Sequence, residues 1–267
     1  METKSITDYI QSLQDIIPAL QMGLFPDPTI GKVFSKFGET INLTVSSSII
    51  SSLQNQDPFN DDGNQLYISS ENDTDNQAIY IEGVEYGTGN PVSETITLTG
   101  QTAKALTTSF RTMYTAYNAN GTEILGDVWV GTEAIPLNGK PATNNAYCHV
   151  PATYHGHSAQ QALTTIFTVP TGYTGFLIDG YGSVGKGKDS EFVPFVRAPG
   201  KVWRYADSLF VFEASFQKQR PWVRLETGVD FKVTGITSQG TQQAALTYTL
   251  VLLRNDMIGK FRPLSWR

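Results

Sequence analysis

The chain's three histidines, His149, His155 and His157, crowd into one short stretch beside its lone cysteine, Cys148. On a strand, the His-x-His spacing turns both imidazoles to one side, as a metal site or a cupin-type centre requires. His155 and His157 are therefore the candidate metal ligands, yet no companion carboxylate or third ligand stands at a fitting spacing. Gly156 between them and Pro151 upstream favour an exposed loop with an incomplete ligand count. A symmetric trimeric tip, sharing one site among three chains, is the exception that would complete it. The expectation is no metal and no cofactor.

Gly182-Ser183-Val184-Gly185-Lys186-Gly187-Lys188-Asp189 is one residue short of a phosphate-binding loop. Asp189 stands where a Ser or Thr would ligate magnesium, and a carboxylate there repels phosphate. The following Ser190-Glu191-Phe192-Val193-Pro194 cannot open the helix whose amides would hold the anion. A basic hairpin loop is the better reading. Ser158 lies near the histidines, but no Gly-x-Ser-x-Gly elbow exists and Asp179 is an arbitrary third member. Carboxylate pairs such as Glu82 with Glu94, or Glu213 with Glu226, can be drawn from any chain with 25 acids. With no complete catalytic set, the sequence predicts a protein that is not an enzyme.

Aromatics point to partners instead. Trp203, Tyr205, Phe210, Phe212, Phe216 and Trp222 gather beside Arg204, Lys218, Arg220 and Arg224. Exposed, Trp203 and Trp222 would form an interface hot spot or a sugar-stacking platform; the alternation Leu209-Phe210-Val211-Phe212 reads mostly as core. The C-terminal Lys260-Phe261-Arg262-Pro263-Leu264-Ser265-Trp266-Arg267 lies beyond the last strand, and its Phe261 and Trp266 suit a docking tail, residues 255–267. At the other end Ser5-Ile6-Thr7-Asp8 has the form of a capping box, with Tyr9, Ile10, Leu13, Ile16, Ile17 and Leu20 at helical spacing behind it. Pro18 ends or kinks that helix near Ile17. Tyr9, Leu13 and Ile16 complete the interface candidates.

The elements that must position these residues are strands. Residues 1–60 read as an N-terminal helix and extended arm with one strand at most, and 55–76 as a polar linker or exposed loop. Residues 76–254 form the body, with a division into two subdomains near 140–160. Ala78–Glu82, Glu94–Leu98 and Asp127–Val130 read as strands, while Ala103–Tyr117 fits a helix or one to two strands equally. Further strands fall near Phe192–Val196, Val202–Tyr205, Leu209–Ala214, Trp222–Leu225, Phe231–Gly235 and Ala245–Leu253. Residues Thr165–Asp179 alternate into and out of a Pro/Gly turn, the pattern of a half-buried antiparallel hairpin. Ala245–Leu253 alternates and then turns wholly apolar, as a strand covered on both faces would. Short strands at this spacing predict an all-β antiparallel sandwich of jelly-roll or Greek-key type. No fixed-period repeat is present, which argues against a solenoid or propeller.

Composition excludes several functions. Charged residues make up only 16% of the chain, so its polar surface is built from Thr, Ser, Asn and Gln, which suits close-packed β-assemblies. A net charge of −6 disfavours nucleic-acid binding. No apolar run approaches the ~20 residues of a membrane span, and the first residues lack a secretory signal, so no membrane partner is expected and synthesis falls in a host cytoplasm. One cysteine permits no internal disulfide.

Three segments, Ala78-Ile79-Tyr80-Ile81-Glu82-Gly83-Val84, Ser93-Glu94-Thr95-Ile96-Thr97-Leu98-Thr99-Gly100 and Phe167-Thr168-Val169-Pro170-Thr171-Gly172-Tyr173-Thr174, resemble a family of structural virion proteins of tailed bacteriophages. The resemblance runs from about Ala78 to Leu253 and leaves the N-terminal arm unmatched. It implies a head-decoration, collar, adaptor or tail component, located in the virion. Its partners would be copies of itself and other virion proteins. The reading that follows is a structural component of a phage particle, assembling through inter-subunit contacts in capsid, neck or tail. The alternative is a carbohydrate- or receptor-binding module of a host-attachment fibre, with a host surface glycan as ligand.

Overall fold

The computed structural model describes residues 31–53, 57–154, 156–185, 188–206, 209–212, 215–238 and 240–258, with backbone alone for 41–42, 209–212 and 215–222. Strands dominate, and all their pairings are antiparallel. The chain opens with β1 (Gly31–Leu43) and β2 (Ser48–Ile49). It then runs through β3 (Tyr67–Ser70), β4 (Ala78–Glu85), β5 (Pro91–Thr97), β6 (Lys104–Ala105), β7 (Phe110–Asn118), β8 (Val128–Gly131) and β9 (Ala146–Val150). A small hairpin follows, β10 (Thr153–Tyr154) with β11 (His157–Ser158). The last third holds β12 (Phe167–Thr168), β13 (Tyr173–Val184), β14 (Asp189–Arg197), β15 (Arg204–Tyr205), β16 (Leu209–Phe212), β17 (Ser215–Leu225), β18 (Asp230–Ile236) and β19 (Gln242–Arg254).

β1 pairs along its length with β19, so one unit is built from both ends of the described chain and a second unit is inserted between. The outer unit has sheets β1-β19-β13-β17 and β12-β18-β14-β15, with β2 and β16 on the latter. Its core draws on both sheets: Phe192, Phe231 and Val233 meet Leu246, Tyr248, Leu250 and Leu252. The inserted unit has sheets β6-β3-β8-β9 and β5-β4-β7, enclosing Ile68, Ile79, Ile81, Phe110 and Val130. In β4 and most of β19 alternating side chains supply these faces, the period that a pleated strand dictates.

The antiparallel all-β expectation holds, and Ala103–Tyr117 resolves as strands β6 and β7. The jelly-roll form is corrected: four larger sheets stack in a propeller-like way, not as the two layers of one jelly roll. The missing sequence repeat is explained by the strand orders, since β1-β19-β13-β17 and β6-β3-β8-β9 are not successive meanders. The expected hairpin over Thr165–Asp179 is also corrected. β12 pairs with β18 while β13 pairs with β17 and β19, so the Pro170–Gly172 turn carries the chain from one sheet to the facing one. A local alternation cannot distinguish a turn within a sheet from a crossing between two.

The polar stretch read as a linker is corrected too. It contains β3 and the buried Phe59, Asn60, Ser70 and Asp75. Asp75 accepts from Ser70 Oγ at 2.6 Å and from the amides of Leu125 and Gly126 at 2.9 and 3.0 Å, so its charge is buried with partners in place. The N-terminal helix lies outside the described residues, as does the C-terminal tail from residue 259 onward. Among the described residues no helix is long and apolar enough to cross a membrane.

Candidate functional site

A constellation of ionisable groups sits where the two units meet. β12 and β14 flank β18, placing Thr168 and Arg197 on either side of Asp230. Arg111 reaches the same carboxylate from β7 in the inserted unit, through two bonds of 2.7 Å. Arg197 Nε donates to Asp230 Oδ2 and Thr168 Oγ1 to Oδ1, each at 2.8 Å. A paired fork of this kind fixes direction as well as distance. Thr112 and Thr168 hydroxyls, 2.8 Å apart, continue the seam.

The segment Asp57–Asp62 lies over this hub. Asn60 holds it by donating to the carbonyls of Asn64 and Phe110 at 2.8 and 3.0 Å. Asp61 comes within 2.8 Å of both Arg111 Nη2 and Arg197 Nη2, the latter without hydrogen-bond alignment. Asp57 faces Lys232 at 3.6 Å. Arg111, Arg197 and Lys232 thus balance Asp57, Asp61 and Asp230 in charge. Burial alone would lower the Arg111 guanidinium, but Asp230 and Asp61 raise it above its ordinary value. Lys232 is lowered by burial in spite of Asp57. Such a balanced cluster ties two surfaces together.

Trp203 belongs to this junction. Its ring lies 5.4 Å from Phe59, with Arg197 at 4.6 Å and Lys232 at 4.4 Å from its centroid. The indole N–H is buried without a hydrogen-bond partner. The ring already stacks with cations of its own chain. Trp222 lies on β17, with its side chain outside the described residues, as are Tyr9, Leu13, Ile16, Phe261, Trp266 and His155. His157 is exposed on β11 opposite Tyr154. Among the described residues no three His, Cys, Asp or Glu side chains gather as metal ligands.

The other sequence motifs separate. Glu82 pairs with Ser93, which puts Glu94 one register step away on the other face of the sheet. Glu82 takes Lys32 at 2.9 Å, and Glu94 accepts the amides of Thr107 and Thr108. Asp189 is buried at the start of β14, where Ser238 and Thr237 donate to it; the Ser238 hydroxyl holds its carboxyl below the usual range. The phosphate-loop look-alike is therefore a β13–β14 connection. Asp179 accepts the Thr249 amide at 3.1 Å, while Ser158 is exposed on β11.

Three features escaped the sequence reading. His149, buried, stacks on Trp129 at 3.9 Å and 9°, with Nδ1 3.2 Å from the Ser52 carbonyl and Nε2 3.1 Å from Asp127 though out of hydrogen-bond alignment. Lys36 is buried, and its Nζ donates to the Tyr114 carbonyl. That carbonyl belongs to a bulge, because Glu82 faces Thr115 and Gly83 faces Met113. The third is a pair of apolar turn residues, Ile135 and Leu137, 93% and 80% exposed. Asn138 and Gly139, with φ of 51° and 78°, make the two-residue turn that the Leu137–Lys140 bridge closes. Ser69 Oγ fixes it through the Gly139 carbonyl at 2.8 Å, and Glu133 accepts from Ala142 N and Asn145 Nδ2 at 3.1 and 2.7 Å. The Asn-Gly pair was the available signal.

No protein-family model matches the chain, and no curated protein matches it. Among solved structures it is similar to that of infectious bursal disease virus Gx strain, at 12% identity and a TM-score of 0.24, covering 94% of this chain and 79% of the other. The VP2 subviral particle of the same virus is similar at 10% identity and a TM-score of 0.17, over 90% and 78% of the two chains. Similarity this low does not define a common fold.

Proposed function

We propose that the chain is a structural subunit of a virus particle, of the tailed-phage kind that its β4, β5 and β12–β13 segments resemble, and that it works by assembly and not by turnover. It would be made in a host cytoplasm and built into the virion beside copies of itself. The observation that carries this reading is the contrast between the two kinds of side chain. The central ionisable cluster is consumed in joining the chain's own two units, while Ile135 and Leu137 stand in solvent on a turn held by three side chains. Full burial of such residues is worth roughly 1.5–3 kcal/mol each. That is too little for an isolated pair of subunits, but it suffices when many copies bind at once. The test is light scattering and electron microscopy of the full chain beside Ile135→Ser/Leu137→Ser. Regular multimers that the double variant loses while keeping its melting temperature are expected. Monomers throughout, or multimers indifferent to the substitutions, overturn the reading.

A further inference from the structure

Burial along β19 changes character partway. From Gln242 to Leu250 buried residues alternate with partly or fully exposed ones, and from Leu250 to Leu253 every residue is buried. Leu250 and Leu252 face the outer unit's core, so Val251 and Leu253, 0% and 2% exposed, face the other way. Their row partners on that second face are Val33 on β1, and Phe176 and Thr174 on β13, the last two also buried. Among the described residues none of the core clusters includes Phe176, Val251 or Leu253.

The covered patch has a size. Two rows of side chains lie ~7 Å apart along the strands, and three strands span ~10 Å across. Coverage stops on every side where it can be followed. Arg224, beside Phe176, is exposed, as are Ser35, Phe37 and Tyr181 further along. A helix with its side chains is ~10–12 Å in diameter, so one helix matches the patch.

We infer that this second face is the seat of the chain's own segment 6–17, docked as a helix through Tyr9, Leu13 and Ile16. Gly31 pairs with Leu253, so the chain upstream of β1 leaves from this edge of the patch. The 13 residues from Pro18 to Ile30 reach at most ~45 Å, ample for a return across the sheet. The tail after β19 leaves from the same end, but Lys260, Arg262 and Arg267 interrupt its apolar residues and would bring charge onto a dry surface. The inference is independent of the assembly reading, since it concerns a contact within one chain.

The test is photocrosslinking in the full-length chain with Leu13→p-benzoylphenylalanine, with Gln11→p-benzoylphenylalanine as control. The expected products are crosslinks, within the monomer band, from position 13 to peptides 31–43, 173–184 or 242–254. Position 11, two residues and 200° round the helix, should give roughly tenfold less. Crosslinks only to other peptides, crosslinks between copies, equal yield from both positions, or none at all would overturn the seat. Loss of multimers would leave these products unchanged, which separates the two readings.

Discussion

Replacing Lys36 with Met should make the protein's stability respond differently to pH, by an amount the structure sets. Burial lowers the Lys36 ammonium from its ordinary 10.5 to about 8, with Cys148 and Glu82 opposing. Lowering it that far corresponds to about 3 kcal/mol. Below pH 8 folded and unfolded chains both carry the proton, and the fold bears the whole cost of a buried ammonium. Between about 8 and 10.5 the folded chain has released a proton that the unfolded chain keeps, so stability rises with pH. At pH 9.5 the gain is about 2 kcal/mol. Lys36→Met removes the ammonium but strips the bulge carbonyl of Tyr114 of its donor, which costs ~1–3 kcal/mol. Near pH 7 the two effects nearly cancel. At pH 9.5 the variant should lag the parent by about 2 kcal/mol more than at pH 7. Burial holds Cys148, Tyr114, Tyr154 and Tyr248 above their ordinary values. These groups erode stability at high pH as the unfolded chain ionises, but to nearly the same extent in both proteins, because the buried thiol and phenols keep their protons at pH 9.5 with or without the Lys36 charge. Urea melts of the pair at the two pH values measure the difference, and an unchanged gap would refute the buried-ammonium account.

Asp230→Asn, which leaves two guanidiniums facing a neutral amide, should cost ~3–5 kcal/mol in urea melts. Asp61→Asn, at a half-exposed carboxylate, should cost no more than ~1 kcal/mol, and equal costs would argue against Asp230 as the hub. Gly139→Ala puts a methyl group 1.8 Å from the Ser70 carbonyl at a φ of 78°, so a loss above ~1 kcal/mol is expected in thermal melts. Burial alone would raise the Glu94 carboxyl, but the amides of Thr107 and Thr108 hold it below the usual carboxylate range. Its stabilisation is present above the unfolded pKa and lost as pH falls through the folded one. Glu94→Gln should therefore flatten the acid side of the stability profile, as melts between pH 3 and 6 would show.

The all-β class was legible because β4, β18 and β19 alternate apolar and polar residues over enough positions to declare a pleated face. The division of strands among sheets was not. Alternation records which face of a strand is buried and is silent about the neighbour, so β12 and β13 looked like one hairpin although they serve facing sheets. The stretch 55–76 was misread for a related reason. Its Asn60, Ser70 and Asp75 look like surface residues until partners as far as 50 and 51 positions away, Phe110 and Gly126, are counted. Of the candidate site, Trp203 was visible as a residue type, but its cations Arg197 and Lys232 come from β14 and β18, and only sheet pairing brings them to it.

Several polar contacts cross between the units, among them Arg111 with Asp230, Lys32 with Glu82, the Thr112 hydroxyl with that of Thr168, Lys36 with the Tyr114 carbonyl, and His149 with the Ser52 carbonyl. Buried charges are poor sources of net stability, because desolvation offsets most of the attraction. Apolar packing already joins the units, since Tyr114 of the inserted unit lies 4.6 Å from Phe167 and 5.6 Å from Phe34. What packing alone does not fix is the angle at which two smooth apolar surfaces meet, whereas a bidentate fork admits one. Here it aligns the inserted unit, which carries the exposed Ile135 and Leu137, against the unit built from both ends of the described chain.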